Sequence, residues 1–184
     1  LKMAGKNPIK IGVGQVSVLD KLKDLKKDNI VVFELSSWRL SALGRAKLSP
    51  QIAVITNIYP DHLNYYRDME AYVKDKKYIF ENQKPEDCCI LNWDDETLNK
   101  LDGEIKSKPV KFSRSEIKDG QGVYISDNFV YINDGIDEKK VMGVSEIKLK
   151  GEHNIYNILA AISVASVFKI DIKIIRKSIL DFRG

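Results

Sequence analysis

Cysteine and histidine are scarce in this chain: two of each among 184 residues. The cysteines, Cys88 and Cys89, are neighbours. Neighbouring residues on a strand point to opposite faces, which argues against an ordinary disulfide between them. A structural metal site would need more Cys or His partners than lie nearby, and this usage suits a reducing cytoplasm. Long apolar runs are missing, so no membrane span is expected, and nothing at the start reads as a secretory leader. Charge of one sign is missing too. The 30 Lys and Arg nearly balance 26 Asp and Glu, for a net +4 without long blocks. That excludes a nucleic-acid footprint and leaves room only for mild steering of anionic, phosphate-bearing substrates. A phosphate loop of the form G-x-x-x-x-G-K-[ST] is also absent. Gly12-Val-Gly14 is too short for one and lacks the Lys-Ser/Thr ending.

What is present suits one domain with a real core: 43% of the residues are hydrophobic. Leu1 to Pro8 reads as the last turn of a helix, closed by Gly5 and stopped by Pro8. A chain that opens in mid-helix reads as a fragment. Ile9 to Val13 is a short strand candidate. Val18 to Lys27 carries Val18, Leu19, Leu22 and Leu25 at helical spacing, so an amphipathic helix is expected. The continuous apolar runs Ile30–Phe33, Ile52–Ile55 and Cys88–Leu91 read as strands covered on both faces. A short helix is expected near Trp38 and another over Asp68–Glu81. From Pro109 to Met142, short Val, Ile, Tyr and Phe runs are punctuated by turn residues, the pattern of a small antiparallel meander. Two helices follow, His153–Phe168 and Ile172–Phe182. The expected class is α/β: a mostly parallel sheet flanked by helices, with that meander appended.

Ligands of open α/β sheets bind at the carboxyl ends of the strands, and three residues there could carry chemistry. Glu34 follows a buried run, where a carboxylate either reaches water or takes a cation partner; position leaves both open. Ser36 and Ser37 beside it could contact phosphate. His62 lies in a polar loop past the next strand, either solvated or a metal ligand. Lys76 falls on the apolar stripe formed by Met69, Tyr72, Val73 and Phe80, whereas Lys74 and Lys77 fall off it. Such a lysine either snorkels or is chemically special. Burial would leave a neutral amine able to take up carbon dioxide as a carbamate, an anionic oxygen ligand suited to magnesium.

Five segments, in order, resemble the Mur ligase family, the cytoplasmic enzymes that build the peptidoglycan stem peptide. Glu34-Leu-Ser-Ser-Trp-Arg-Leu40 looks like the E-L-S-S-F-Q-L of the D-glutamate-adding member. Ile55 to Leu63 resembles T-N-[IV]-x-x-D-H-[LM]. Met69 to Phe80 resembles M-E-x-Y-x-x-x-K-x-x-I-[FY]. Leu91-Asn-Trp-Asp-Asp95 resembles L-N-x-D-D. Gly151 to Ala161 resembles the G-x-H-N-x-x-N-x-x-A-A box. The resemblance covers nearly the whole chain.

The resemblance implies an ATP-dependent, amide-forming ligase that adds D-glutamate to UDP-N-acetylmuramoyl-L-alanine through an acyl phosphate. It implies that Glu34 holds the magnesium at the ATP phosphates, that His62 ligates a second magnesium, and that Lys76 is carbamylated and completes the second site. Asn157 would contact adenine, with Asn154 and His153 in the same box. Ser36 and Ser37 would lie beside the nucleotide and the acyl substrate. Residues 1–184 would be an incomplete central, ATP-binding domain, lacking the phosphate-loop strand and helix start. The UDP-binding amino-terminal domain and the amino-acid-binding carboxyl-terminal domain would be absent, leaving an inactive fragment of an enzyme that is monomeric when whole. Departures exist. Gln15 stands where an Asn would contact the UDP-sugar. Trp38 and Arg39 replace Phe and Gln, and Tyr65 and Tyr66 replace Arg and His. Other readings are MurE, a folylpolyglutamate synthetase, or a non-catalytic nucleotide-binding relative.

Overall fold

The computed structural model describes residues 1–12, 18–61 and 64–184. The expected α/β class is observed, and the described residues form two sheets. A two-stranded parallel sheet joins β1 (Asn7–Ile11) to β2 (Asn29–Phe33). A six-stranded sheet runs in the order β3 (Ile52–Ile55), β4 (Cys88–Asn92), β5 (Lys108–Ser113), β6 (Gly122–Ser126), β7 (Phe129–Asn133) and β8 (Glu138–Gly143). The pairs β3–β4, β4–β5 and β5–β6 are parallel, and the other two are antiparallel. The helices are α1 (Val18–Leu22), α2 (Ser37–Arg45), α3 (Met69–Lys77), α4 (Glu96–Leu101), α5 (Glu152–Val167) and α6 (Ile172–Asp181).

β4 is the centre of the larger sheet, and all its residues are buried. Its side chains divide between two cores as strand pleating requires. Cys88 and Ile90 join Val110, Phe112, Val123 and Val130 beneath α5 and α6. Cys89 and Leu91 join Ala53, Ile55, Leu98 and Leu101 on the α3–α4 side. The adjacent cysteines therefore face opposite cores, and both are free. Burial pushes the Cys88 thiol up to about 11 and raises Cys89 further, so neither is a ready nucleophile.

The sheet is pinned at its amino-terminal edge by a buried amide. Gln83, 4% exposed, donates from Nε2 to the Pro50 and Cys88 carbonyls, both at 2.8 Å, and accepts from Ser107 Oγ at 2.7 Å. Three connections are thereby tied at the entries of β3, β4 and β5. Helix starts are set by side-chain caps: Asp68 accepts from Ala71 N at the start of α3, and Asp95 from Thr97 and Leu98 N at the start of α4.

Three expectations are corrected. β2 is not covered on both faces: Val31 and Val32, on opposite sides of the strand, are 42% and 45% exposed. Among the described residues β2 pairs only with β1, so its apolar run lacks the layers that bury β4. The helix expected to reach Lys27 ends at Leu22. Tight turns from Asp24 N to Lys21 O and Leu25 N to Leu22 O close it, and Leu19 and Leu22 stay exposed. A five-residue helix with no buried residue has little to extend it. The meander begins later than expected, because β5 follows α4 as a crossover strand and pairs parallel with β4. Only β6–β8 run antiparallel, turning through Asp127 and Asn128, whose positive φ angles of 48° and 63° suit the hairpin. Among the described residues, no helix is long and apolar enough to cross a membrane.

Gln83→Leu should lower stability by about 1–3 kcal/mol, because Ser107 and two carbonyls lose their buried partner. Urea unfolding should show a lower midpoint with an unchanged slope. Leu98→Ala, at a position 0% exposed, should cost about 2–5 kcal/mol by opening a cavity under β4, read in the same titration.

Candidate functional site

Two clusters gather where the parallel strands end. The first forms around the exit of β2. Glu34 is exposed, and its amide bonds the Ile11 carbonyl across the β1–β2 pair. Gly12, at φ 83°, lets the two exits approach: a side chain there would collide with the Glu34 carbonyl. Arg39 closes the same gap from α2, its Nη1 donating to the Gly12 carbonyl at 3.0 Å and the Glu34 carbonyl at 3.2 Å. Arg39 also lies 5.8 Å from the Phe33 ring. The loop bearing Glu34 is thus held by a residue that replaced Gln in the resemblance.

Ser36 caps α2, its Oγ accepting from Arg39 N at 3.5 Å. An open cleft of about 480 Å³ runs along Ser36, Ser37, Trp38 and Arg39. Ser37 does not share this exposure. It is 3% exposed, and it neighbours the Tyr66 phenol, which donates to Asp75 Oδ2 at 2.9 Å. Burial is the main cause that lifts the Tyr66 phenol above its usual range. Ser37, Tyr66 and Asp75 thus form a bridge from α2 to α3. Gly44 permits the close contact between these helices, since a side chain there would enter the Tyr78 ring.

Lys76 occupies the packed stripe of α3. Tyr72 and Phe80 on that stripe are 5% and 2% exposed, and Met69 and Val73 pack against the same core. Lys76 itself is half-buried. Its Nζ lies 5.4 Å from the centre of the Tyr72 ring. Burial pushes its amine below the ordinary lysine range, and the Asp61 carboxylate nearby opposes part of that shift. A lowered pKa enlarges the share of neutral, nucleophilic amine at a given pH. The oxygen donors Glu34 and a Lys76 carbamate would fit a hard cation such as magnesium. His62 and Gln15 lie outside the described residues. Among the described residues, no group of three or more His, Cys, Asp and Glu is gathered as a metal cluster.

The second cluster joins the exits of β3, β4 and β5 to the start of α5. Asn92 Nδ2 donates to the Thr56 carbonyl at 2.9 Å, and Asp95 Oδ2 accepts from Ile58 N at 2.8 Å. Asp94 accepts from Ser113 Oγ, Arg114 N and the Tyr156 hydroxyl. Arg114 pairs with Glu152 at 2.9 Å. On α5, Asn154 is turned back, donating from Nδ2 to the Lys150 carbonyl at 2.7 Å. The exposed His153 ring lies over Gly151, and Asn157 is exposed.

Glu34, Ser36 and Lys76 therefore belong to the α2–α3 side, and Asn154 and Asn157 to the α5 side. Sequence reading missed Arg39, Tyr66, Asp75 and Asp94 as organising residues. Asp95 before Glu96-Thr97-Leu98 carries a legible cap signal, but no spacing rule links Tyr66 to Ser37 or Asp94 to Tyr156.

Comparison with known proteins bears on the fold and the lineage of the chain. Residues 11–165 match the Mur ligase middle domain. The chain is 38% identical over 168 residues to the UDP-N-acetylmuramoylalanine--D-glutamate ligase of Clostridioides difficile strain 630, covering 91% of this chain and 36% of that protein. It is 36% identical over 184 residues to the enzyme of the same name from Geobacillus sp. strain WCH70, covering 100% of this chain and 39% of that protein. The chain thus spans well under half the length of these relatives. Among solved structures, MurF from Acinetobacter baumannii superposes with a TM-score of 0.70 at 17% identity, covering 100% of this chain and 43% of that one. The UDP-N-acetylmuramate:L-alanyl-gamma-D-glutamyl-meso-diaminopimelate ligase from Neisseria meningitides gives 0.70 at 19% identity, covering 100% and 60%. At those identities the superpositions speak for the fold, while the domain match and the sequence relatives carry the lineage: this chain belongs to the Mur ligase family.

Proposed function

We propose that the chain is the central, ATP-binding part of a longer cytoplasmic ligase that joins D-glutamate to UDP-N-acetylmuramoyl-L-alanine. The observation that carries this reading is the 36% identity to a D-glutamate ligase across 100% of the chain. In this reading the muramoyl-alanine carboxylate attacks the γ-phosphorus of ATP, giving an acyl phosphate and ADP. The D-glutamate amine then attacks the acyl carbon and loses a proton, and inorganic phosphate leaves from the tetrahedral adduct. The product is an amide.

Glu34 would hold one magnesium ion, with His62 and carbamylated Lys76 holding a second; such ions supply charge neutralisation between the oxygens of phosphoryl transfer. The protein's own part is positioning. Arg39 fixes the loop that carries Glu34. The Ser37–Tyr66–Asp75 bridge holds α2 against the helix that carries Lys76. The apolar stripe of α3 desolvates the Lys76 amine, which favours the neutral form that a carbamate needs. On the α5 side, Asn157 would contact adenine, with Asn154 and His153 in the same turn, and Ser36 would face the cleft where substrate and nucleotide meet.

The complete protein that contains this chain should release ADP when given ATP, magnesium, D-glutamate and UDP-N-acetylmuramoyl-L-alanine. Acceptance of a different amino acid in place of D-glutamate would overturn the substrate assignment. Lys76→Ala should lower turnover by about 100-fold or more and regain part of it with added short carboxylic acids. Wild-type turnover without additive would exclude the carbamate. The carbamate itself should give a carbon resonance after labelling with ¹³C-bicarbonate, absent in Lys76→Ala. Its intensity should rise with pH, because carbon dioxide adds only to the neutral amine and the depressed pKa brings that form in at lower pH than for a free lysine.

A further inference from the structure

We propose that Asp94 is a positioning residue for the nucleotide, clamping the first turns of α5 to the carboxyl ends of β4 and β5 and so setting where Asn157 stands. The proposal rests on the reading of Asn157 as an adenine contact. Asp94 lies in the loop directly after β4. Its Oδ1 accepts from Ser113 Oγ at 2.6 Å, and its Oδ2 accepts from Arg114 N at 2.8 Å and from the Tyr156 hydroxyl at 3.1 Å. Three donors from two other segments thus converge on one carboxylate, each a charge-assisted bond.

The two ends of this clamp differ in character. Ser113 is 1% exposed, so the strand end is fixed by the core. Tyr156 is half-buried on the second turn of α5 and lies 62 residues away in sequence. A parallel tie reinforces it. Arg114 pairs with Glu152 in the first turn of the same helix at 2.9 Å and lies 5.8 Å from the Tyr156 ring. Asn157 is the next residue along, and Asn154, one turn back, shares its face. Beyond them, Ile158, Leu159 and Ile162 hold the rest of α5 in the core. Loss of the Asp94 carboxylate therefore removes one of two polar ties at the start of α5 and lets that turn shift, while Ile155 and Tyr156 still pack against the core and the body of the helix stays in place. Asp94 itself is exposed, so its removal should cost little global stability. A base held by directional hydrogen bonds is sensitive to small displacements of its partner, and that is where the effect should be read.

The test uses the complete protein containing this chain, with Asp94→Asn and Tyr156→Phe made singly and together. Calorimetry with ATP and with GTP measures affinity and base discrimination, and ligation of D-glutamate is assayed separately. Asp94→Asn should weaken ATP binding about tenfold and shrink the preference for ATP over GTP, with the KM for D-glutamate and the thermal midpoint little changed. Tyr156→Phe should act in the same direction, less strongly. The double variant should be no worse than Asp94→Asn alone, because both remove one clamp. Unchanged ATP affinity and unchanged discrimination in both single variants would overturn the proposal, whatever happens to turnover. So would a lack of ATP affinity in the unsubstituted protein. If Asp94→Asn does not fold, Tyr156→Phe, which deletes one hydroxyl, carries the test. Absence of ligation with ATP binding intact would instead count against the reaction assigned above.

Discussion

Strand β4 cannot be placed anywhere but between two layers. Every one of its residues is buried, and its side chains alternate into two separate cores. Once β4 is covered by α5 and α6 on one face and by α3 and α4 on the other, its neighbours follow. β3 and β5 must run parallel to it, since each is joined to it through a helix that crosses one face. The carboxyl ends of all three strands then open on one edge, and the polar residues that follow them are forced into a shared neighbourhood.

That edge is organised by short polar side chains that satisfy backbone groups where the strands end. Asn92 reaches the Thr56 carbonyl, Asp95 takes the Ile58 amide while capping α4, and Asp94 gathers donors from β5 and α5. The Thr56 carbonyl, the Ile58 amide and the Ser113 hydroxyl are part-buried groups that would otherwise lack these partners. The same bonds that complete the fold therefore fix the loops that carry function. The β2 side is organised differently. Among the described residues its sheet has two strands, with exposed valines, so its exit loop relies on the Arg39 clamp and on the contact of α2 with α3.

Lys76 joins the two themes. A charged amine on a packed face is costly, and the structure answers that cost partly through the Asp61 carboxylate and the Tyr72 ring. Burial outweighs that help, so its pKa stays depressed. The bridge through Tyr66 makes the position of Lys76 depend on α2, whose first turn follows Glu34 in the chain.

Periodicity and composition were enough to determine the α/β class, the strands β3 and β4, the two terminal helices and the opposed faces of Cys88 and Cys89. Local pattern carries these because pleat and helical repeat act within a few residues. The stripe of Met69, Tyr72, Val73 and Phe80 placed Lys76 on a packed face for the same reason. Only the tertiary structure decided that β5 runs parallel to β4, that the apolar run of β2 stays half open, and that the helix after Val18 stops at Leu22. Each of those depends on which layer is available to cover an apolar surface, and neighbours in space are not neighbours in sequence. The clamps of Arg39, Tyr66 and Asp94 belong to the same class, because a hydrogen bond spanning 62 residues leaves no trace in local spacing.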